Sequence, residues 1–306
     1  MIHAGIYYPT GSVRASLCRG ARLLYAFRSH TVCISDSKIL VATDPTQIPK
    51  LDALHKQAQA NGVHDLQRLS PEEVHAREPQ IKCVAALFSP STGIIDSHGL
   101  ILALQGDAEK NGAVVALNSP VIRGRVRPEG GFEVEIGGAS PSRITCSTLI
   151  NSAGLGAQGV ARAIHGNSAP MIPPLVLAKG NYFTLSGCRT PFRHLIYPMP
   201  DDGGLGVHVT LDLAGQARFG PDVEWLSHND VLQIDYSVDP KRADAFYGAV
   251  RRYWPELPKE SLVPAYSGVR PKLTGPGQSA ADFMILGPKH HKSPDLFIYS
   301  EWSRLG

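Results

Sequence analysis

The stretch TLINSAGLGAQGVARAI, residues 148–164, reads as a strand, a glycine turn and a helix. Gly154, Gly156 and Gly159 keep the G-x-G-x-x-G spacing that cradles a pyrophosphate, where free backbone N–H groups and the positive end of a helix meet an anion. A nicotinamide fingerprint also needs an Asp or Glu about 20 residues further on to hold the ribose. No acid occurs between Ser152 and Asp201, and Pro173-Pro174 interrupts any immediate second parallel strand. The glycines alone therefore point only weakly to NAD. Two readings stay open. In one, the turn is structural, with Gly154 at positive φ and Gly156 allowing close helix approach. In the other, the turn lies beside a cofactor held mainly by something else, and the helix start at Leu155 offers it N–H groups.

Other chemistries are disfavoured by composition. The 306 residues are 43% hydrophobic and 19% charged, enough for a sizeable core and about two domains. Net charge is +3, with the basic residues scattered and not interleaved with aromatics, so nucleic acid is not expected as a partner. GPKHHK at 287–292 reads as a solvated loop. Cys18, Cys33, Cys83, Cys146 and Cys188 are odd in number and form no C-x-x-C, which argues for reduced thiols. With no H-E-x-x-H either, no metal site is expected. No apolar run approaches the ~20 residues of a transmembrane helix.

Arg14, Arg19, Arg22 and Arg28 precede the first acid, Asp36, a composition like that of a mitochondrial transit peptide. The preferred reading is a buried turn followed by an amphipathic helix over SVRASLCRGARLLYAF, with Ser12 as cap and Val13, Leu17, Leu24 and Phe27 on one face. Downstream, KILVAT reads as a buried strand and TQIPKLDALHKQAQANG as a helix ended by Asn61-Gly62. Ser70, Pro71 and Glu73 form a capping-box start, with Pro79 as the stop. Asp96 or Ser97 caps a helix with Leu100, Leu104 and Ala108 on one face, and AVVAL (113–117) follows as a strand. A hairpin turns at Gly130-Gly131. After about residue 165 the chain becomes a series of short strands, two of them pairing around Ala214-Gly215, with one helix from Pro240 to Tyr253.

Several stretches taken together carry a resemblance: MIHAGIYYPTGSVRASLCRGARLLY, GIIDSHGLILALQGDAEKNGA, LINSAGLGAQ, KGNYF, IYPMPDDGGLGVHVTLDLAGQARFGPDVEW and YSGVRPKL. They run in order across nearly the whole chain, and the segment from GVHVT to DVEW is highly specific. The chain resembles the L-2-hydroxyglutarate dehydrogenase family, within the glycine/D-amino-acid-oxidase-like group of FAD-dependent oxidoreductases. The resemblance implies an α/β (α+β) fold: a partial FAD-binding Rossmann-like domain without its first βαβ, and a β-rich substrate domain with an antiparallel sheet. The FAD-binding part is expected from about 1–35, 90–165 and 265–306, and the substrate part from about 36–89 and 166–264. Set against the family pattern, the sequence looks trimmed at both ends, which is why the arginine-rich start is read as inner structure. NSAGLGAQG becomes the second glycine turn of the FAD domain.

The implied reaction is FAD-dependent oxidation of a 2-hydroxy acid, L-2-hydroxyglutarate to 2-oxoglutarate. It needs a base for the hydroxyl proton and cations for two carboxylates. Arg270, in YSGVRPKL, is the expected carboxylate clamp, because the guanidinium fork matches a carboxylate in two parallel bonds. His208, in GVHVT, is the expected base or hydroxyl anchor, since imidazole titrates near neutrality. Strand alternation puts His208 and Thr210 on one face and Val207 and Val209 on the other. Lys179, Tyr197 and Tyr266 are further substrate-pocket candidates. For the cofactor, the resemblance implies His3, Ala4 and Gly5 at the flavin ring, Val121 at the adenine, and Ser152, Ala153 and Gly154 near the phosphate or ribitol. The substrate is a small dicarboxylate and the electron acceptor is open. Localisation is expected to be mitochondrial in a eukaryote and cytoplasmic in a bacterium. The alternatives are a glycine-oxidase-like amine oxidase and a cofactor-free, non-catalytic remnant.

Overall fold

A computed structural model describes residues 2–18, 37–165, 172–200 and 206–287, together with the backbone of 33–34 and 296–300. Leu24 and Phe27, the rest of the arginine-rich segment to residue 32, and most of the GPKHHK stretch lie outside the described residues. What is described of that first helix, 13–18, starts as expected: the Ser12 hydroxyl accepts the Ala15 N–H at 3.1 Å.

The largest unit is a nine-stranded sheet. It runs Glu224–Trp225, Val176–Leu185, Ala217–Phe219, Val209–Leu211, Leu195–Pro198, Lys38–Ala42, Ala85–Ser89 and Gln67–Leu69, with Leu262–Lys272 paired to Val176–Leu185. The pairing of Leu195–Pro198 with Lys38–Ala42 is parallel and the other recorded ladders are antiparallel. Segments far apart in sequence thus share one sheet, and the expected boundary at 265 falls inside the strand Leu262–Lys272. The apolar run KILVA is buried at every position because strands flank it on both sides. The main core gathers on this sheet. Leu51 and Ala58 come from the helix Ile48–Ala60, and Phe246 and Val250 from the helix Ala243–Val250.

A second unit is smaller. Ile164–His165, Val121–Val126, Phe132–Ile136 and Ser142–Cys146 form a four-stranded sheet, and Met284–Leu286, Leu296–Ser300 and Leu149–Asn151 a three-stranded one. Its core is Phe132, Val134, Ala161, Ile164 and Leu286, so the helix Ala157–Ala163 after the glycine turn packs between the two sheets.

Local signals read as expected. Ser70 and Glu73 make both bonds of the capping box, and Asp96 caps the helix Ser97–Lys110. Gly130 and Gly131 take positive φ in the hairpin turn. Three expectations are corrected. AVVAL is not a strand: no ladder forms there, and Val114 is 89% exposed. The helix Ser97–Lys110 buries none of its residues, so the Leu100–Leu104–Ala108 face has no core beneath it. Gly156 does not serve a close approach, since an added Cβ would meet only the Ala153 Cβ, at 3.9 Å.

Candidate active site

Strand register decides which side chains meet. Ala178 pairs with Arg270 and Gly180 with Gly268, so Gly180, Gly268 and Arg270 stand on one face of the large sheet. Past a bulge, Tyr182 and Tyr266 stack on each other at 4.6 Å. Ile196 pairs with Val209, which sets Tyr197 opposite His208, and Thr210 pairs with Arg218. The alternation read from GVHVT holds: Val207 and Val209 are buried in the main core, while His208 and Thr210 line a cavity.

That cavity measures about 490 Å³, within the range of small-molecule sites. Its sheet wall carries Tyr182, Tyr197, His208, Thr210, Arg218 and Tyr266, and the opposite wall is the turn at Ile94–His98 where the helix Ser97–Lys110 begins. The helix does not offer that end to an anion, because Asp96 Oδ1 already accepts the N–H groups of His98 and Gly99. His208 is 2% exposed and lies flat against Tyr197, ring centroids 3.9 Å apart. Arg218 is bridged to Asp212 at 3.1 Å, and Asp212 Oδ1 also accepts backbone N–H groups from Ala214 and Gln216.

Arg270 stands one layer behind this wall. Its guanidinium approaches the Tyr182 hydroxyl at 3.5 Å, and a Cβ on Gly180 would lie 3.4 Å from its Nη2. The missing side chain at Gly180 leaves room beside the arginine, whereas a Cβ on Gly268 would meet nothing within 4 Å. Burial lowers the Arg270 pKa while the neighbouring tyrosines oppose the shift. Burial pushes Tyr182 up to about 12, with the Arg270 charge working against it. Tyr266 is raised by burial as well.

Lys179 does not join the cavity. One residue from Gly180, it points to the other face of the sheet, and its ammonium donates to the Ser237 carbonyl at 2.6 Å. The same period of two that placed His208 separates Lys179 from Tyr182, three residues on.

The opening loop is pinned from within. The Asn61 side-chain amide donates to the carbonyls of Gly5 at 3.0 Å and Tyr8 at 2.8 Å, and Gln57 donates to Tyr8 as well. Ala4 is buried and Gly5 takes φ +91°. Burial first, and then nearby Lys38, push the His3 imidazole down to about 3, so it is neutral at working pH. At the second glycine turn, the Asn151 side chain bonds Ala157 O and the Ala153 N–H from inside. Ser152, Ala153 and Gly154 face outward, and Gly154, at φ +55°, has open space where a Cβ would stand. Val121 is 37% exposed at the start of its strand. These cofactor candidates thus combine a neutral loop fixed by buried amides with an open glycine rim, a donor set that suits a ring and a phosphate-bearing chain. Among the described residues no group of three His, Cys, Asp or Glu side chains is placed to hold a metal ion.

The model of the FAD dependent oxidoreductase (DAO) family matches residues 1–306. The chain belongs to that family. An L-2-hydroxyglutarate dehydrogenase, mitochondrial, from Arabidopsis thaliana is 41% identical over 97% of this chain and 69% of its own length. The L-2-hydroxyglutarate dehydrogenase of Escherichia coli (strain K12) is 28% identical over 94% and 75%. Among solved structures, the reduced, FAD-bound L-alpha-glycerophosphate oxidase of Mycoplasma pneumoniae superposes with a TM-score of 0.81 at 21% identity, covering 97% of this chain and 77% of that one. Glycine oxidase from Geobacillus kaustophilus gives 0.74 at 16% identity, covering 97% and 76%. These two establish the mixed α/β flavoenzyme fold of this FAD-dependent oxidoreductase.

Sequence reasoning missed Tyr182, Arg218 and Lys38. Tyr182 had a signal, since it keeps the alternation of Gly180 in KGNYF. Arg218 pairs with Thr210 only after the hairpin register is known. Lys38 is 1% exposed at the head of a strand that reads as ordinary apolar core.

Proposed function

We propose that this FAD-dependent oxidoreductase oxidises L-2-hydroxyglutarate to 2-oxoglutarate. The observation that carries the reading is the cavity on the sheet face, where a buried histidine, a tyrosine wall and Arg218 converge, with Arg270 behind Tyr182. Bound FAD supplies the acceptor for the hydride on the substrate's C2; His3, Ala4 and Gly5 would hold its ring, Val121 its adenine, and Ser152, Ala153 and Gly154 its phosphate or ribitol portion. The remaining tasks fall to this chain. His208 Nε2 or Nδ1 accepts the proton of the substrate hydroxyl, and its stack on Tyr197 fixes the plane of the imidazole. Arg270, set behind Tyr182, supplies the positive field for the C1 carboxylate, and Tyr182 and Tyr266 are the hydroxyl donors between that charge and the cavity. Lys179 anchors the strand behind the site.

Relatives in Arabidopsis thaliana and Homo sapiens are named mitochondrial and those in Escherichia coli are not, so the compartment is proposed to follow the host: mitochondrial in a eukaryote, cytoplasmic in a bacterium. Among the described residues no helix is long and apolar enough to cross a membrane.

The test is anaerobic mixing of the FAD-loaded protein with L-2-hydroxyglutarate. Bleaching of the flavin absorbance with formation of 2-oxoglutarate is expected. Bleaching by glycine and not by the hydroxy diacid would replace this reading with an amine oxidation.

A further inference from the structure

Lys38 is the most unusual charge in the molecule. A buried cation is costly unless it is paired. This one is 1% exposed, and among the described residues no carboxylate makes an ion pair with it. Its ammonium sits instead over two aromatic faces, 4.6 Å from the Tyr7 centroid and 4.8 Å from that of Tyr197. Cation–π contact of this kind compensates only part of the lost hydration.

Register puts this charge on the functional face. Lys38 and Leu40 alternate on one side of their strand, and Leu40 pairs with Tyr197, which pairs across to His208. Tyr197 therefore has the Lys38 ammonium and the His208 imidazole both over its ring. The cavity reaches His208 and Tyr197 but not Lys38, so the lysine does not touch substrate.

We propose that Lys38 is a positioning cation for the reaction, holding the His208 imidazole in its unprotonated, proton-accepting form through the field it exerts across Tyr197. The inference rests on the reading of His208 as the base. The two ring contacts put the ammonium within about 9 Å of the imidazole, where at an effective dielectric near 20 a unit charge moves a pKa by about one unit. A like charge disfavours the imidazolium, so the sign is fixed: Lys38 lowers the proton affinity of His208 by about tenfold. Among the described residues, the other titratable groups facing this pair are Tyr7, Tyr8 and His3 from the opening loop, Tyr182 and Tyr266 on the neighbouring strands with Arg270 behind Tyr182, and Asp96, His98, Asp212 and Arg218 around the cavity. Asp96 and Asp212 are engaged by backbone N–H groups and Asp212 also by Arg218, while the tyrosines stay neutral. Burial lowers Lys38 itself to about 7.

The test is a histidine-labelled NMR titration of the full chain, with the His208 resonance assigned by its loss in His208→Asn. Lys38→Met is expected to raise the His208 pKa by about one unit, and Lys38→Arg to leave it in place. Lys38→Gln serves as a second neutral variant if Lys38→Met does not fold. In the flavin-loaded enzyme the acid limb of kcat/KM should move up by the same amount in the neutral variants and not in Lys38→Arg. A His208 pKa that stays put in a folded neutral variant overturns the inference, whatever the enzyme oxidises. A protein that fails to oxidise L-2-hydroxyglutarate while its His208 shifts as stated overturns the functional reading and leaves the electrostatic coupling standing.

Discussion

At the scale of single residues, the site is organised by a half-buried arginine and a buried lysine with different surroundings. Arg270 has the Tyr182 hydroxyl to bond and the space beside Gly180, whereas Lys38, among the described residues, has ring faces and no carboxylate. Arg270→Gln removes the charge and the guanidinium fork. It is expected to lower kcat/KM for the hydroxy acid by about 10- to 100-fold, the worth of a charge-assisted bond, with flavin content unchanged. Steady-state kinetics beside the flavin-to-protein absorbance ratio measures both. Lys38 carries a stability signature as well. Its pKa is about 7 in the folded chain and about 10.4 when unfolded. Between those values the unfolded chain binds the extra proton, so the parent gains stability as pH rises through that window and loses it again as pH falls towards 7. Lys38→Met has no such dependence. Its stability relative to the parent should be most favourable near pH 6 and decline towards pH 10, as read by urea unfolding across that range.

At the scale of elements, strand register brings Arg270 towards the tyrosines and Gly180 leaves it room. A methyl on Gly180 would stand 2.7 Å from the Pro221 Cβ and press on the arginine. Gly180→Ala is expected to cost about 1–3 kcal/mol of stability and to raise KM; thermal melts and kinetics on the same preparation check it. The loop clamp makes a contrasting case. Asn61→Ala leaves the carbonyls of Gly5 and Tyr8 short of their buried donors and should cost about 1–3 kcal/mol, seen as faster hydrogen exchange over residues 3–8. These cases also show what the chain announces by itself. Capping at Ser70, the turn at Gly130-Gly131, and the alternation that turns His208 and Thr210 towards the cavity are local, so they are legible in the sequence. The Lys179 position is legible too, since the same alternation turns it to the face opposite Gly180. The burial of Lys38 was not, because it is created by Tyr7 and Tyr197, distant in sequence and brought over it by the fold. AVVAL failed for the complementary reason: an apolar run becomes a strand only where a neighbour supplies the other half of the ladder.

At the scale of the whole molecule, the parts of the chain differ in how well they are covered. The large sheet has a continuous core, while the helix Ser97–Lys110 and the segment after it leave apolar side chains in the open. Ile101 and Leu102 on the helix Ser97–Lys110 are 62% and 67% exposed, and Val114 and Leu117 just beyond it are 89% and 79% exposed. Among the described residues nothing packs over them. Scattered apolar residues on a surface need no explanation, but a run of them on one helix and its following segment is a surface that seeks a partner. A chain with this face uncovered should bind a hydrophobic dye and self-associate as its concentration rises. Replacing Leu102 and Leu117 with Lys removes apolar area without opening a cavity, because neither side chain is packed. The double variant should therefore bind less dye and sediment closer to a monomer, with its melting temperature within about 2 °C of the parent, since exposed substitutions of this kind change stability by only about 0.5 kcal/mol. A fall of many degrees would show that these side chains are packed against something after all.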